Sequence, residues 1–275
     1  MRRQVFPVFS DYYGLSCNPF DKQMTDRLGF FQSHDHKEMT ARLDYLKDIR
    51  GIGVFTAQPG MGKTCSLRCF LKGLNRNLYR TAYLCLSTVS ITEFYRQLCG
   101  VLGLESAFSK PVMFKSIQER VYYLYKEKKQ PLLLALDEAQ YLNPGILRDL
   151  KMVLNQDCDS VNCFSLILIG EPYLNNILEK PIHEALKQRI TVHYNFEGLS
   201  SEETSAYIFQ KLESAGGSRG ILEDAALSAA YSYSQGNPRL IDNVMTDALT
   251  IGAQNQKQNI DADVMMAAIN SRALV

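Results

Sequence analysis

No apolar run in these 275 residues approaches the roughly 20 needed to cross a bilayer. The first residues, Met-Arg-Arg-Gln-Val-Phe-Pro, form a basic cap without the apolar stretch of a signal peptide. A membrane-spanning or exported chain is therefore not expected, and the setting reads as cytoplasmic. Internal repeats and low-complexity tracts are missing too, which excludes solenoid and linker-like architectures. Net charge is nearly absent at +1, so bulk charge does not mark a strongly basic nucleic-acid binder. The seven cysteines cannot all pair, and several stand inside apolar stretches where a reduced thiol behaves as a small hydrophobe. Cys65 and Cys69 lack the partner Cys or His residues of a zinc site and read as packing residues.

What remains is an ordinary globular composition, 46% hydrophobic and 21% charged, at a length where a single core begins to split into two unequal domains. Charge is uneven along the chain: from Glu197 onward 5 Lys+Arg stand against 10 Asp+Glu, leaving 25 against 19 before it. That asymmetry suits a nucleic-acid-facing N-terminal part, and solvated surface charge accounts for it equally well.

Short apolar runs bounded by turn residues alternate with stretches of helical period. Strands are expected at residues 53–56, 82–86, 132–136, 164–169 and 191–196, with helices at 62–75, 92–102, 115–128 and 143–156 between them. This is the pattern of an α/β domain with a central, largely parallel five-stranded sheet flanked by helices. After Phe196 the strand signal stops, and helices are expected at 201–215, 223–234, 239–254 and 261–272, forming a small C-terminal all-helical domain. The expected organisation is an irregular aromatic arm at 1–35, an α/β core at 36–196 that opens with a helix near 36–49, and a helical domain at 197–275.

The segment Ala57-Gln-Pro-Gly-Met-Gly-Lys-Thr64 follows an expected strand and opens an expected helix, the context a phosphate loop requires. Gly60 and Gly62 let backbone N–H groups turn inward around a β-phosphate. Lys63 reaches β and γ oxygens, and the Thr64 hydroxyl suits Mg²⁺. The nucleotide-binding residues expected from this segment are Gln58, Pro59, Gly60, Met61, Gly62, Lys63, Thr64 and Cys65. Ala57 departs from the usual pattern, which has glycine there, and would resist a left-handed backbone. About 70 residues further on, Leu132-Leu-Leu-Ala-Leu-Asp-Glu-Ala139 is an apolar run ending in two acids. Its carboxylates should emerge at the sheet edge beside the phosphate loop. Asp137 is then expected to hold Mg²⁺, and Glu138 to orient and deprotonate the water that attacks the γ-phosphate of ATP.

The next strand runs into Gly170-Glu171-Pro, where a polar sensor of the γ-phosphate would be useful. A carboxylate facing phosphate is repulsive, so Glu171 is a poor candidate. Arg189, at a helix end before the last strand, reads either as a guanidinium acting on a neighbouring subunit's phosphate or as a charge suited to the negative helix end. Arg239 follows Gly236-Asn-Pro at a helix start and reads as a charge reporting on phosphate occupancy. Lys110, Lys115, Arg120, Lys126, Lys128 and Lys129 surround one helix and read either as DNA contacts or as solvated surface.

The order of these motifs resembles the AAA+ ATPases, and within them the bacterial ExeA/TniB/TnsC-like group, over nearly the whole chain. The matching pieces are Tyr13-Gly-Leu-Ser-Cys-Asn-Pro-Phe20, the phosphate loop, Leu136-Asp-Glu-Ala-Gln140, Leu166-Ile-Leu-Ile-Gly-Glu-Pro-Tyr-Leu174, Gln188-Arg-Ile190, Glu203-Thr-x-x-x-Tyr-Ile208 and Gly236-Asn-Pro-Arg-Leu-Ile241. The resemblance implies a P-loop AAA+ core with a helical lid domain, ATP and Mg²⁺ as ligands, Arg189 acting across a subunit interface and Arg239 acting as the lid sensor. It also implies a homo-oligomer, as a ring or filament, and in the stand-alone form a transposition helper that assembles on duplex DNA and recruits a DDE-type transposase. Secretion-associated members couple the ATPase to a membrane segment that these residues do not contain. Glu171 stands where such proteins commonly carry glutamine, and together with Ala57 it suggests slow turnover suited to a switch.

Overall fold

The computed structural model describes residues 8–22, 29–86, 90–154 and 162–272. The chain divides into two compact units, one formed by His36–Phe196 and the other by Met1–Asp35 together with Glu197–Val275.

The first unit begins with α2 (His34–Ile49), whose first two residues belong to the other unit, and continues through β1 (Ile52–Thr56), α3 (Lys63–Gly73), β2 (Arg80–Cys85), α4 (Ile91–Leu102), α5 (Lys110–Lys126), β3 (Leu132–Asp137), α6 (Pro144–Leu154), β4 (Phe164–Gly170), α7 (Tyr173–Leu178), α8 (Glu184–Lys187) and β5 (Ile190–Asn195). All strand pairings are parallel and the order across the sheet is β2-β3-β4-β1-β5. Strands β1, β3 and β4 are buried along their whole length, as their mainly apolar sequences suit in central parallel strands. The edge strands β2 and β5 alternate buried with exposed positions instead.

Successive side chains of a strand point to opposite faces, and the core obeys this. Leu132, Leu134 and Leu136 of β3 join Leu166 and Leu168 of β4 against Phe94, Leu98, Met113, Ile117 and Ile146. Leu133 and Ala135 join Ile167 and Ile169 on the other face, against Met39, Leu43, Leu46, Leu67 and Phe70. The sheet is thus held between two apolar layers, which fixes the level at which each strand's C-terminal end emerges. Helix ends are set by local chemistry. The Ser90 side chain accepts from the Glu93 N–H at the start of α4, and Gly103 closes that helix in a left-handed conformation.

Helix α7 was not expected from the sequence, because six residues are too few to show a helical period, whereas α8 is the helix expected to end beside Arg189. The expected helix at 143–156 is present through Leu154, and its last two positions lie outside the described residues, as does Cys158.

The second unit is helical, comprising α1 (Val8–Tyr12), α9 (Ser201–Ser214), α10 (Asp224–Ser234), α11 (Pro238–Gln254) and α12 (Ala262–Ser271). Its core joins Ile208, Leu212, Ile241, Val244 and Met245 to Phe9, Leu15 and Phe20 of the N-terminal segment. The Tyr13 hydroxyl donates to the Lys257 carbonyl at 2.9 Å, and burial pushes its pKa up to about 12. Phe9, Tyr13 and Phe20 are therefore packing groups of the helical unit, while Tyr12 is exposed. Helix α9 begins with a reciprocal cap between Ser200 and Glu203. Gly236 has φ 74°, and a Cβ there would lie 2.1 Å from the Leu199 carbonyl oxygen, so this turn accepts only glycine. Among the described residues no helix is long and apolar enough to cross a membrane.

Candidate nucleotide site

The site lies where β1 and β3 end, with the tip of β4 between them. The chain leaves β1 at Thr56, turns through residues 57–62 and enters α3 at Lys63. Gly60 and Gly62 take left-handed backbones, φ 93° and 88°, as a loop with inward N–H groups requires. Ala57 is not among the residues with positive φ, so alanine costs no backbone strain at the position where glycine is usual. It is buried against the apolar layer that also holds Phe55 and Leu67. Gln58, Pro59 and Met61 belong to the same turn and Cys65 to the first turn of α3. The Lys63 ammonium donates to the Ala57 carbonyl at 2.6 Å and the Gln58 carbonyl at 3.3 Å. These bonds hold the side chain across the loop, and an incoming phosphate is a stronger acceptor than either carbonyl.

Asp137 ends β3 almost fully buried. Its Oδ2 accepts from the Thr64 hydroxyl at 2.7 Å and from the Tyr83 hydroxyl at 2.8 Å, and its Oδ1 accepts from the Glu138 N–H at 2.9 Å. Tyr83 comes from β2, whose Cys85 is in register with Asp137. Burial and then the Asp137 carboxylate hold the Tyr83 phenol far above its ordinary pKa, so it stays a donor throughout the accessible range. A hydroxyl and a carboxylate meeting at 2.7 Å form a hard-oxygen pair of the kind Mg²⁺ takes, directly or through its retained waters. The residues therefore fit that ion.

Glu138 adopts a left-handed backbone, φ 57° and ψ 40°, which is costly for a residue with a Cβ. Its carboxylate accepts from Gln140 Nε2 at 2.8 Å, while Gln140 Oε1 accepts from the Glu171 N–H at 3.1 Å. The tip of β4 thus contributes a backbone donor here. Gln140 was not singled out from the sequence; its position two residues past the acidic pair was the available signal. A second polar group joins β1 to β5: Asn175 donates to Thr56 Oγ1 at 3.2 Å and to Asn195 Oδ1 at 3.0 Å, Thr56 itself donates to Asn195, and His193 Nε2 meets Asn175 Oδ1 at 3.0 Å.

The structure brings Lys63, Thr64, Asp137 and Glu138 to one sheet edge. It does not bring Arg189 there. Arg189 precedes β5, whose first residue pairs with Ile52 at the start of β1, so it lies a strand's length from its own loop, roughly 16 Å at 3.3 Å per residue. Arg239 belongs to the helical unit, in the first turn of α11, where the Asn237 side chain accepts from its N–H at 3.1 Å. Of the basic residues around α5, Lys110 pairs with Asp149 at 2.6 Å and Lys115 with Glu119 at 3.8 Å. Among the described residues no cluster of three or more His, Cys, Asp or Glu is placed to hold a metal.

Residues 47–178 match the family model described as an AAA domain. Over 265 residues the chain is 29% identical to General secretion pathway protein A of Aeromonas hydrophila, covering 95% of this chain and 48% of that protein. The chain thus spans about half the length of the curated relative it matches. Among solved structures, the Aeropyrum pernix ORC2 protein, in its ADPNP and ADP complexes, superposes with a TM-score of 0.67 at 16% identity, covering 94% of this chain and 72% of that one. The Aeropyrum pernix ORC1 protein in complex with DNA gives 0.63 at 14%, covering 90% and 67%. At such identities the structural likeness shows the fold, which is that of the P-loop AAA+ ATPases. Fold and matched domain agree with the site, and the core is an AAA+ ATPase domain that uses ATP and Mg²⁺.

Proposed function

We propose that this AAA+ ATPase is a nucleotide-gated assembly that regulates DNA transposition in the cytoplasm, oligomerising on duplex DNA with ATP and engaging a DDE-type transposase. The observation that carries the nucleotide half of this reading is the Lys63, Thr64, Asp137 and Glu138 constellation at one sheet edge. In it residues 58–65 cradle the phosphates, with Lys63 on the β and γ oxygens. Thr64 and Asp137 would hold Mg²⁺, which would offset charge on the phosphate oxygens. Glu138 orients the attacking water and accepts its proton as the water oxygen bonds to the γ-phosphorus. The bond from that phosphorus to the β–γ bridging oxygen breaks, releasing ADP and phosphate. Arg189, remote from its own loop, acts on the nucleotide of an adjacent subunit, and Arg239 reports phosphate occupancy to the helical unit.

The DNA half is supported by the hairpin of α4 and α5. Phe108 at its turn is 98% exposed, and Lys115, Lys126, Lys128 and Lys129 are exposed along and beyond α5. Lysines exposed along and beyond this helix suit a phosphate backbone without sequence readout. The test is assembly of the purified Glu138→Gln protein on random-sequence duplex DNA with ATP, followed by light scattering and negative-stain imaging. Rings or filaments that need both ATP and DNA support the reading. ATP binding with no DNA association at low salt overturns it.

A second reading is favoured by the match to General secretion pathway protein A: an ATPase module assisting secretion or cell-envelope assembly. It predicts ATP-dependent oligomers indifferent to DNA, which the same experiment detects.

A further inference from the structure

The end of β4 has no side chain. A Cβ added at Gly170 would lie 2.6 Å from Gln140 Oε1 and 3.1 Å from Leu174 Cδ2, so the volume such a side chain would take already holds the Gln140 amide. Gln140 comes from the turn after β3 (Ala139–Tyr141), which the Tyr141 N–H to Glu138 carbonyl bond at 3.0 Å and the Leu142 N–H to Ala139 carbonyl bond at 3.1 Å close. Its residue is 9% exposed, so the amide is largely shielded from water.

The orientation of that amide follows from its partners. A backbone N–H can only donate, so the group facing Glu171 N is the carbonyl oxygen, at 3.1 Å. A carboxylate can only accept, so the group facing Glu138 is the NH₂, at 2.8 Å. The amide is therefore a fixed strut between the tip of β4 and the acidic end of β3. It holds its carboxylate with a donor that never titrates, where an acidic residue in its place would compete for a proton.

We propose that Gln140 is the positioning residue for ATP hydrolysis, holding the Glu138 carboxylate where it meets the attacking water and supplying from the turn after β3 the polar group that Gly170 leaves missing at the tip of β4. This rests on the assignment of Glu138 as the water-activating carboxylate, which Glu138→Gln tests alone: a Glu138→Gln protein hydrolysing ATP at the wild-type rate defeats that assignment and leaves the strut without a task.

The experiment measures kcat, ATP affinity by fluorescent-nucleotide titration, and the pH profile for Gln140→Leu, Gln140→Glu and Gly170→Ala. Gln140→Leu is expected to lower kcat by about 10²-fold, the scale of a displaced general base, with ATP affinity unchanged within about twofold. Added to Glu138→Gln it should cost nothing further, since both act through one carboxylate. Gln140→Glu keeps the shape but sets two carboxylates against each other. They then share a proton, and the rising limb of the rate profile moves to higher pH. Gly170→Ala should lower kcat in the same sense by displacing the amide.

Wild-type or raised kcat in Gln140→Leu overturns the proposal. So does an unshifted profile in Gln140→Glu, or a loss of ATP affinity matching the loss of kcat.

Discussion

Thr64 and Asp137, 73 positions apart in the sequence, meet at 2.7 Å between hydroxyl and carboxylate. One ends the phosphate loop after β1 and the other ends β3, and β4 lies between the two strands in the sheet. This contact joins the phosphate-binding and water-activating halves of the site, and the assigned roles separate cleanly under mutation.

Lys63→Ala removes the charge that reaches the phosphates and is expected to weaken ATP binding by at least about tenfold. Glu138→Gln keeps the shape and should leave binding intact while lowering hydrolysis by about 10²-fold or more. Nucleotide titration beside phosphate release distinguishes the two. Equal loss of ATP binding in both variants contradicts the division of roles.

Much of this was legible in the sequence. Every strand and every long helix was marked by its apolar period, because central parallel strands are mainly apolar and their covering helices must be amphipathic. The phosphate loop and the acidic pair were visible because their chemistry is local in sequence. The roles of Gln140 and Tyr83 were not, since each depends on which strand ends lie side by side, and the order β2-β3-β4-β1-β5 cannot be read from periodicity. Nor was the packing of Phe9, Leu15 and Phe20 with the C-terminal helices, which joins opposite ends of the chain.

Tyr83 donates to the same Asp137 oxygen as Thr64. Groups that orient a metal ligand typically carry about 10-fold to 100-fold in metal affinity. Tyr83→Phe is therefore expected to raise the Mg²⁺ concentration for half-maximal hydrolysis by about tenfold, with kcat at saturating Mg²⁺ little changed. An unchanged Mg²⁺ titration would remove Tyr83 from the metal's support.

Arg189→Ala should lower hydrolysis by about 10³-fold if the guanidinium acts on a neighbouring subunit's nucleotide. Lys63→Ala is inactive for a different reason and retains Arg189. Mixing the two inactive proteins is then expected to restore activity, as Lys63→Ala subunits lend Arg189 to intact loops. No recovery in mixed assemblies argues against action across an interface.

His183 is buried, and burial followed by the charges of Arg148 and Lys180 holds its pKa below the ordinary value of 6.5. The native ring is thus neutral where the unfolded chain's ring already binds a proton. Stability is fully present above pH 6.5 and falls as pH drops from there toward the lowered native value. The urea midpoint should decline between pH 7.5 and 5.5, and His183→Phe should flatten that decline, leaving the part due to His36, which burial also lowers. A decline of the same size in both proteins rules His183 out as its source.

The central claim is that nucleotide state and DNA binding are linked, and linkage is reciprocal. The measurement that addresses it most directly is duplex DNA affinity of the Glu138→Gln protein with ATP against wild type with ADP, across a series of salt concentrations. The account predicts at least about tenfold tighter binding in the ATP state, a coupling of about 1.4 kcal/mol, with affinity falling steeply as salt rises. Equal affinity in the two states, or no binding at low salt in either, contradicts it.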